Sequence, residues 1–418
     1  MKKITLSAAA VLSILPSVLS AEGFSLFNDA KFNGEIRPRY ETVSVQDSGK
    51  KDADALTVRA TIGLEANLLG ISGLSGKVDG TTVQAIGGQH YFDGTYNTMS
   101  GYETVKDPDT TRFTQAYLQY KLGKTTAKLG RQVINLDNQR FIGSVDWRQM
   151  MQSFDAAVIS DSTIDNLTLI GAYIYGVAGV TDAPTAKTNS IVLNGSYKVS
   201  DMLKITAYDY MISSKSDTVG AALTGDVPLS GAKIAYRAEY ASQGDASRDT
   251  DSASANQNVK ADAYYYNLDA LANISGVLVG AGYEFLSGHT TGDGKTAFNA
   301  PLGTLHAFNG WADQFLAATP IGGLCDTSAT IGYTTSAFGK AMIIYHDFKA
   351  DDDMSGKSDL GSEWDILYTN AIPGIKGLSG LAKAAYYNAG DVTKAASGGK
   401  VDYTKDVSKI WLQLDYKF

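Results

Sequence analysis

The last twelve residues of the chain, 407–418, read VSKIWLQLDYKF and alternate between apolar and polar side chains. A period of two places successive side chains on opposite faces of a β-strand. The stretch therefore predicts a strand with one apolar face and one mostly charged face. The apolar face carries Ile410, Leu412, Leu414, Tyr416 and Phe418, and the other carries Lys409, Gln413, Asp415 and Lys417.

The same alternation recurs along the chain. Apolar residues occupy every even position from 56 to 68, with Thr57, Arg59 and Glu65 among the residues between them. No run of 18 apolar residues follows residue 21, so no helical membrane span is predicted. A soluble β-sandwich would explain the alternation, but neither the aromatic last residue nor the repeated charged face. The terminal strand resembles the insertion signal of bacterial outer-membrane barrels, which implies that the barrel-assembly machinery recognises the strand ending at Phe418.

Strands cross lipid only as a closed barrel, because every backbone polar group must be paired there. We therefore predict an all-β fold, a transmembrane antiparallel β-barrel of eighteen strands, with sixteen as the alternative count. Every second connection should be a short periplasmic turn, and the longer connections 88–111, 133–151, 244–259, 288–326 and 390–406 should be extracellular. The predicted strands are 34–46, 54–68, 74–87, 112–122, 125–132, 152–160, 167–178, 189–199, 202–213, 218–226, 232–243, 260–271, 277–287, 327–337, 340–349, 361–371, 378–389 and 407–418.

Composition excludes several other classes of protein. The 418 residues carry a formal net charge of −8, which disfavours binding to nucleic acid, and the lone Cys325 excludes an internal disulfide.

Residues 1–21 combine Lys2 and Lys3 with an apolar stretch and small residues at its end. They predict a signal peptide ahead of a barrel of residues 22–418, with a retained membrane anchor as the alternative. Removing those two lysines changes the net charge from −8 to −10.

One stretch resembles a known family. Residues 129–155 read LGRQVINLDNQRFIGSVDWRQMMQSFD and are similar to the alginate-export family of outer-membrane porins. The stretches DTVG at 217–220 and LHAFNGWAD at 305–313 resemble the same family more weakly. The resemblance implies an eighteen-stranded monomeric barrel with an arginine-rich lumen. It does not identify a substrate.

Arginine placement is the clearest functional signal. Seven of the nine arginines lie on the polar face of a predicted strand or within 133–151. A lipid-facing arginine at mid-membrane costs about 2–4 kcal/mol, so these side chains should face the lumen. We expect 133–151 to fold inward and narrow the pore, with Arg131, Arg140 and Arg148 as a ladder for anions opposite Asp155 and Glu284.

The full predicted set of pore-lining or solute-binding residues is Arg37, Arg39, Arg59, Arg131, Arg140, Arg148, Asp155, Arg237 and Glu284. The alternative is that these residues form ion pairs that stiffen the inward segment and have no role in selectivity.

The sequence thus predicts a passive channel for small hydrophilic solutes, favouring anions, in the outer membrane of a Gram-negative cell and in contact with its lipid and lipopolysaccharide. A general, weakly selective pore and a structural or adhesive barrel are the alternatives. The four histidines lack a neighbouring nucleophile, so we expect no catalytic residue, no metal site and no cofactor.

Acidic loop residues, among them Asp107 and 351–353, either bind divalent cations or are solvated.

Overall fold

Eighteen antiparallel strands close into a single barrel in the computed structural model, which describes residues 26–95, 99–248, 260–289, 295–316, 319–394 and 401–418. Each barrel strand pairs with its neighbours along the chain, and the first pairs with the last. The predicted signal peptide lies outside the described residues. Within them the one helix is the three-residue 3₁₀ helix Leu305–Ala307, and no helix is long and apolar enough to cross a membrane.

The barrel strands are β1 (Phe27–Val45), β2 (Ala53–Leu68), β3 (Leu74–Ala85), β4 (Thr110–Leu122), β5 (Thr125–Gln132), β6 (Ser153–Asp161), β7 (Leu167–Ala178), β8 (Ala186–Ser200), β9 (Leu203–Ile212), β10 (Ser216–Leu229), β11 (Ala232–Gly244), β13 (Ala263–Ile274), β14 (Val277–Leu286), β16 (Leu324–Thr335), β17 (Gly339–Lys349), β18 (Asp359–Ala371), β19 (Leu378–Asn388) and β20 (Val407–Lys417). Two more strands, β12 (Lys260–Ala261) and β15 (Lys295–Thr296), pair with each other in a separate two-stranded sheet.

The predicted count of eighteen strands is confirmed. Strand β1 departs most from its predicted bounds, because it begins at Phe27 and not at residue 34. Its pairing with β2 shifts register between Asn28 and Lys31, so the regular pairing of the strand begins at Lys31. All other strand ends agree with the predicted ends to within three residues.

The terminal strand that predicted the fold closes the barrel. The backbone N–H of Gly34 donates to the carbonyl of Phe418 at 2.8 Å, and the N–H of Phe418 donates to the carbonyl of Gly34 at 3.0 Å. A Cβ at residue 34 would lie 2.3 Å from the Phe418 ring, so glycine leaves the space that the ring fills. The seam between β1 and β20 is therefore paired up to the last residue.

The two faces of the strands differ as the alternation predicts. Ile62 and Leu129 are 55% and 58% exposed on the outer face, whereas Thr57, Arg59 and Thr61 are buried inside the barrel. An apolar outer face suits lipid, and a polar inner face suits a lumen. Short turns such as 123–124, 201–202 and 275–276 lie at one end, and the connections 86–109, 133–152 and 287–323 lie at the other.

The short turn before β19 supports the terminal strand. Gly374 and Gly377 both adopt left-handed backbone conformations, with φ of 83° and 84°. The carbonyl of Gly377 accepts a hydrogen bond from the N–H of Lys417 at 2.9 Å. A Cβ at Gly377 would meet the Lys417 carbonyl, whereas a Cβ at Gly374 would meet nothing within 4 Å.

We expect Gly377→Ala to destabilise the barrel more than Gly374→Ala. Both variants place a side chain in the left-handed region, at a cost of about 1–2 kcal/mol. Only Gly377→Ala also pushes the backbone of β20 away. The measurement is the urea midpoint of unfolding in lipid vesicles, and equal midpoints for the two variants would contradict this account.

Candidate functional site

The segment 133–152 lies against the inner wall of the barrel. The Phe141 ring packs on those of Tyr208 and Tyr265, with centroids 5.3 and 5.5 Å away. The Gln149 side-chain amide donates to the Thr57 hydroxyl at 2.9 Å and to the Arg37 carbonyl at 3.1 Å. Aromatic packing and hydrogen bonds to the wall thus hold this segment, which we call the inner segment, within the lumen.

The connection 287–323, which we call the long loop, lies beside the inner segment at residues 302–304. The N–H of Gly143 donates to the carbonyl of Leu302 at 2.9 Å, and the N–H of Thr304 donates to the carbonyl of Gln139 at the same distance. Farther along the long loop, the N–H of Ala312 donates to the Glu363 carboxylate on β18 at 2.7 Å. The two segments therefore form one layer attached to the wall.

Arg37 of β1 and Arg59 of β2 reach this layer and have close carboxylate partners. Arg37 contacts Asp415 at 2.7 Å and Glu35 at 2.9 Å. Arg59 contacts Asp146 of the inner segment at 2.5 Å and Glu35 at 3.2 Å. Arg37 also donates from Nη1 to the backbone carbonyl of Asp146 at 2.8 Å, so both guanidinium groups tie the inner segment to the wall.

Arg39 is buried beneath the aromatic ring of Trp147. The centre of its guanidinium group lies 4.3 Å from the ring centroid, and its Nε donates to the Gln413 side-chain oxygen at 2.8 Å. The nearest carboxylate, that of Asp107, is 3.7 Å from Nη1, which is too long for a hydrogen bond. Arg39 is thus the least completely paired arginine of this group.

Arg148 occupies the centre of a carboxylate cluster. Its Nη1 donates to Glu41 at 3.0 Å, and its Nη2 lies 3.5 Å from Asp313 of the long loop. Asp107 lies 4.0 Å away and is fully buried. Burial opposes the charge of Arg148, but the three carboxylates outweigh it and raise the pKa of this guanidinium above its ordinary value.

Two more predicted arginines are paired on the far side of the inner segment. Arg140 donates from Nε to Glu284 at 2.8 Å and from Nη2 to the Asn309 side-chain oxygen at 3.2 Å. Arg237 contacts Glu239 at 2.8 Å and also Asp137 of the inner segment. These contacts extend the ion-pair network from one wall to the other.

Arg131 and Asp155 lie on the outer face of the barrel. They form a bidentate ion pair, in which Nε of Arg131 donates to Oδ1 of Asp155 at 2.7 Å and Nη2 donates to Oδ2 at 2.9 Å. Arg131 shares its face with Leu129, two residues earlier, which is largely exposed. The structure therefore corrects the predicted ladder of Arg131, Arg140 and Arg148, because strand alternation places Arg131 and Asp155 outside the lumen.

Lys383 of β19 is a central residue that the sequence did not reveal. Its ammonium nitrogen lies 3.7 Å from the ring centroid of Trp311, 4.2 Å from that of Trp147 and 5.3 Å from that of Trp411. These rings come from the long loop, the inner segment and β20. Lys383 therefore contacts all three parts of the layer. It is buried, and cation–π contacts are strongest where water is excluded.

His306 completes the same cluster. Its ring stacks on Trp147 at 4.3 Å, its Nε2 lies 2.7 Å from the Lys383 nitrogen, and its Nδ1 lies 2.6 Å from Asp313. Burial lowers the pKa of His306 to about 3, although Asp313 acts in the opposite direction. The neutral ring accepts a hydrogen bond from Lys383 at Nε2 and donates one from its Nδ1–H to the Asp313 carboxylate.

Asp107 was expected among solvated or cation-binding loop residues, but it is buried within the layer. Its Oδ1 accepts the N–H of Gln149 at 3.0 Å. No group of three or more metal-ligating side chains capable of holding an ion occurs in the described parts of the chain. Asp107 is therefore part of the ion-pair network and not of an outer acidic patch.

We expect Arg148→Ala to lower the free energy of unfolding by about 3–5 kcal/mol, because it leaves buried carboxylates without their partner. Lys124→Ala is the control, since the pair of Lys124 with Asp165 is exposed and contributes about 0–1 kcal/mol. Urea unfolding in lipid vesicles measures both. Equal effects of the two variants would show that the Arg148 cluster does not stabilise the fold.

A second expectation concerns pH. The ordinary pKa of histidine is 6.5, so between pH 6.5 and about 3 the unfolded chain binds a proton at His306 that the folded chain does not. Acid should therefore destabilise the native protein more than the His306→Asn variant. Unfolding midpoints of both proteins at pH 7.5 and pH 4.5 test this, and parallel changes in the two midpoints would contradict it.

Comparison with known proteins agrees with this architecture. Residues 89–286 match the family model described as alginate export, which confirms the resemblance seen in residues 129–155. No curated protein matches the chain.

Three solved structures illustrate the likeness in fold. OccAB4 of Acinetobacter baumannii has a TM-score of 0.70 and 14% identity, covering 94% of this chain and 98% of that one. OccK8 (OprE) of Pseudomonas aeruginosa has a TM-score of 0.69 and 16% identity, covering 93% and 98%. OpdK of Pseudomonas aeruginosa, solved with vanillate, has a TM-score of 0.69 and 12% identity, covering 93% and 98%. This chain has the eighteen-stranded barrel fold of the outer-membrane porins, and its residues 89–286 match the alginate export family.

Proposed function

We propose that this protein is a passive channel for small hydrophilic solutes in the outer membrane of a Gram-negative cell, and that it favours anions. The signal peptide of residues 1–21 directs its export, and the barrel-assembly machinery recognises the strand that ends at Phe418. The inner segment and the long loop set the width of the lumen. The closed barrel with an apolar outer face and a polar interior supports the channel.

One observation carries the preference for anions. Three buried nitrogen donors around Trp147 have no hydrogen-bond acceptor among the described residues: the indole N–H groups of Trp147 and Trp411, and Nη1 of Arg39. Buried donors without acceptors are costly, so a solute that supplies oxygen acceptors is stabilised there. A carboxylate or phosphate offers several such oxygens to a guanidinium group and two indoles.

The relatives of the same fold add chemical support. OpdK was solved with vanillate, an aromatic carboxylate. A ligand of that kind combines an anionic group with a flat ring. The cluster around Trp147 offers N–H donors and aromatic faces to both parts.

A general, weakly selective pore is the second candidate, and a specific observation favours it. Five of the six predicted arginines inside the barrel, all except Arg39, have a carboxylate within 3.2 Å. Paired charges cancel at a distance and contribute little to the field that a passing ion meets. On this view the arginines hold the layer and select nothing.

The reversal potential of the refolded protein in a planar bilayer under a KCl gradient separates the two candidates. We expect a potential on the chloride side. Trp147→Phe and Trp411→Phe keep an aromatic ring but remove the N–H donor, so each should lower the chloride-to-potassium permeability ratio by about 2- to 10-fold, the effect of one hydrogen bond.

Trp364→Phe is the matched control, because Trp364 is exposed on the outer face. It should leave the permeability ratio unchanged. A native potential near zero or on the potassium side would make the general pore the better description. Absence of conductance would refute the channel itself.

A further inference from the structure

The outer face of the barrel carries a charged row at the end where the long connections leave. Arg131 of β5 pairs with Asp155 of β6, Asp155 pairs with Gly176 of β7, and Gly176 pairs with Lys187 of β8. The register shifts beside Asp155 and beside Gly176, but a Cβ at Gly176 would lie 3.0 Å from the Asp155 carboxylate. Asp155, Gly176 and Lys187 also line one cavity on the outer face. These residues therefore form a continuous outward-facing row across four strands.

This row borders a polar cavity of about 640 Å³ that is lined by Asp155, Tyr173, Tyr175, Thr185 and Lys187 among others. Both tyrosine rings are more than 40% exposed on the outer face. Tyrosines at this position are typical of the interface between lipid and water. The cavity therefore lies where lipid headgroups meet the barrel.

An apolar groove adjoins the cavity toward the middle of the strands. It has a volume of about 620 Å³, and its lining includes Leu129, Ile159, Tyr173 and Leu193. Tyr173 lines both spaces, so the polar cavity and the apolar groove are neighbours on the outer face. A ligand that fills both has a polar head and an apolar chain.

The charges in the cavity favour an anionic head. Asp155 is neutralised by Arg131, whose Nη2 also donates to the Thr185 hydroxyl at 2.9 Å. Lys187 is exposed and forms no ion pair with any other residue that the structure describes. One positive charge thus remains at the rim, and a phosphate next to Lys187 would complement it.

We propose that this surface binds one phosphorylated glycolipid of the outer leaflet, with a phosphate against Lys187 and an acyl chain in the groove beside Leu129. The inference rests on the proposed position in the outer membrane, but not on conduction through the lumen. The site is separated from the lumen by the barrel wall. Its occupant and the transported solute are therefore independent of each other.

Native mass spectrometry of the full-length protein in detergent micelles, titrated with bis-phosphorylated lipid A, tests the site. We expect one tightly bound lipid A molecule. Lys187→Ala should weaken that binding about fivefold, the effect of one lysine near an anionic headgroup. Lys198→Ala is the control, because Lys198 lies at the other end of the same strand, beside a short turn, and pairs with Asp201.

Two competing probes identify the part of the ligand that is recognised. Millimolar inorganic phosphate should leave lipid A bound, because free phosphate has no acyl chain and cannot occupy the groove. Phosphatidylcholine vesicles should not displace it, because their headgroup carries no net charge. Displacement by either probe, or equal binding to the Lys187→Ala and Lys198→Ala variants, would overturn the proposal.

Conductance distinguishes this failure from that of the proposed function. Lys187→Ala should retain the reversal potential of the native protein, since its side chain faces away from the lumen. A changed reversal potential in this variant would contradict the placement of Lys187 outside the barrel wall.

Discussion

The structure depends on one constraint, which is that a chain in lipid must pair every backbone N–H and C=O group. A sheet meets it only when its first and last strands pair. Here that pairing is the seam of β1 with β20, and it extends to the last residue through the two hydrogen bonds between Gly34 and Phe418. Closure also fixes which side chains face lipid, because alternation assigns every other residue to the outer face.

The interior follows from the same constraint. Charged side chains on the outer face are costly, so the strands carry most of their charge inward. Inside, the guanidinium groups are buried together with carboxylates, and a buried charge is tolerated only when it is paired. The inner segment supplies partners to the wall, such as Asp146 to Arg59, and the wall supplies Glu41 to Arg148. The contacts that hold the inner segment in the lumen are therefore also the contacts that neutralise the wall.

The fold could be predicted from sequence because its signals are local. Alternation within each strand and the spacing of short turns identify eighteen strands without any tertiary information. Much of the layer could not be predicted, since its contacts join distant positions, as between Lys383 and Trp147 or between Arg148 and Asp107. The placement of Arg131 was predictable in principle. Counting two residues from the apolar Leu129 puts it on the outer face, and the general preference of arginine for the lumen was the weaker guide.

Selectivity in such a lumen cannot be judged from the number of its arginines. Arg140 and Arg148 are satisfied by Glu284 and Glu41, so a passing anion would have to displace a carboxylate at short range before it gained anything. The neutral indoles of Trp147 and Trp411 have no such competitor, and neither does Nη1 of Arg39 at hydrogen-bonding distance. A solute that accepts from these donors loses its water but displaces no ion pair. The proposed preference among solutes thus rests on incomplete hydrogen bonding more than on formal charge.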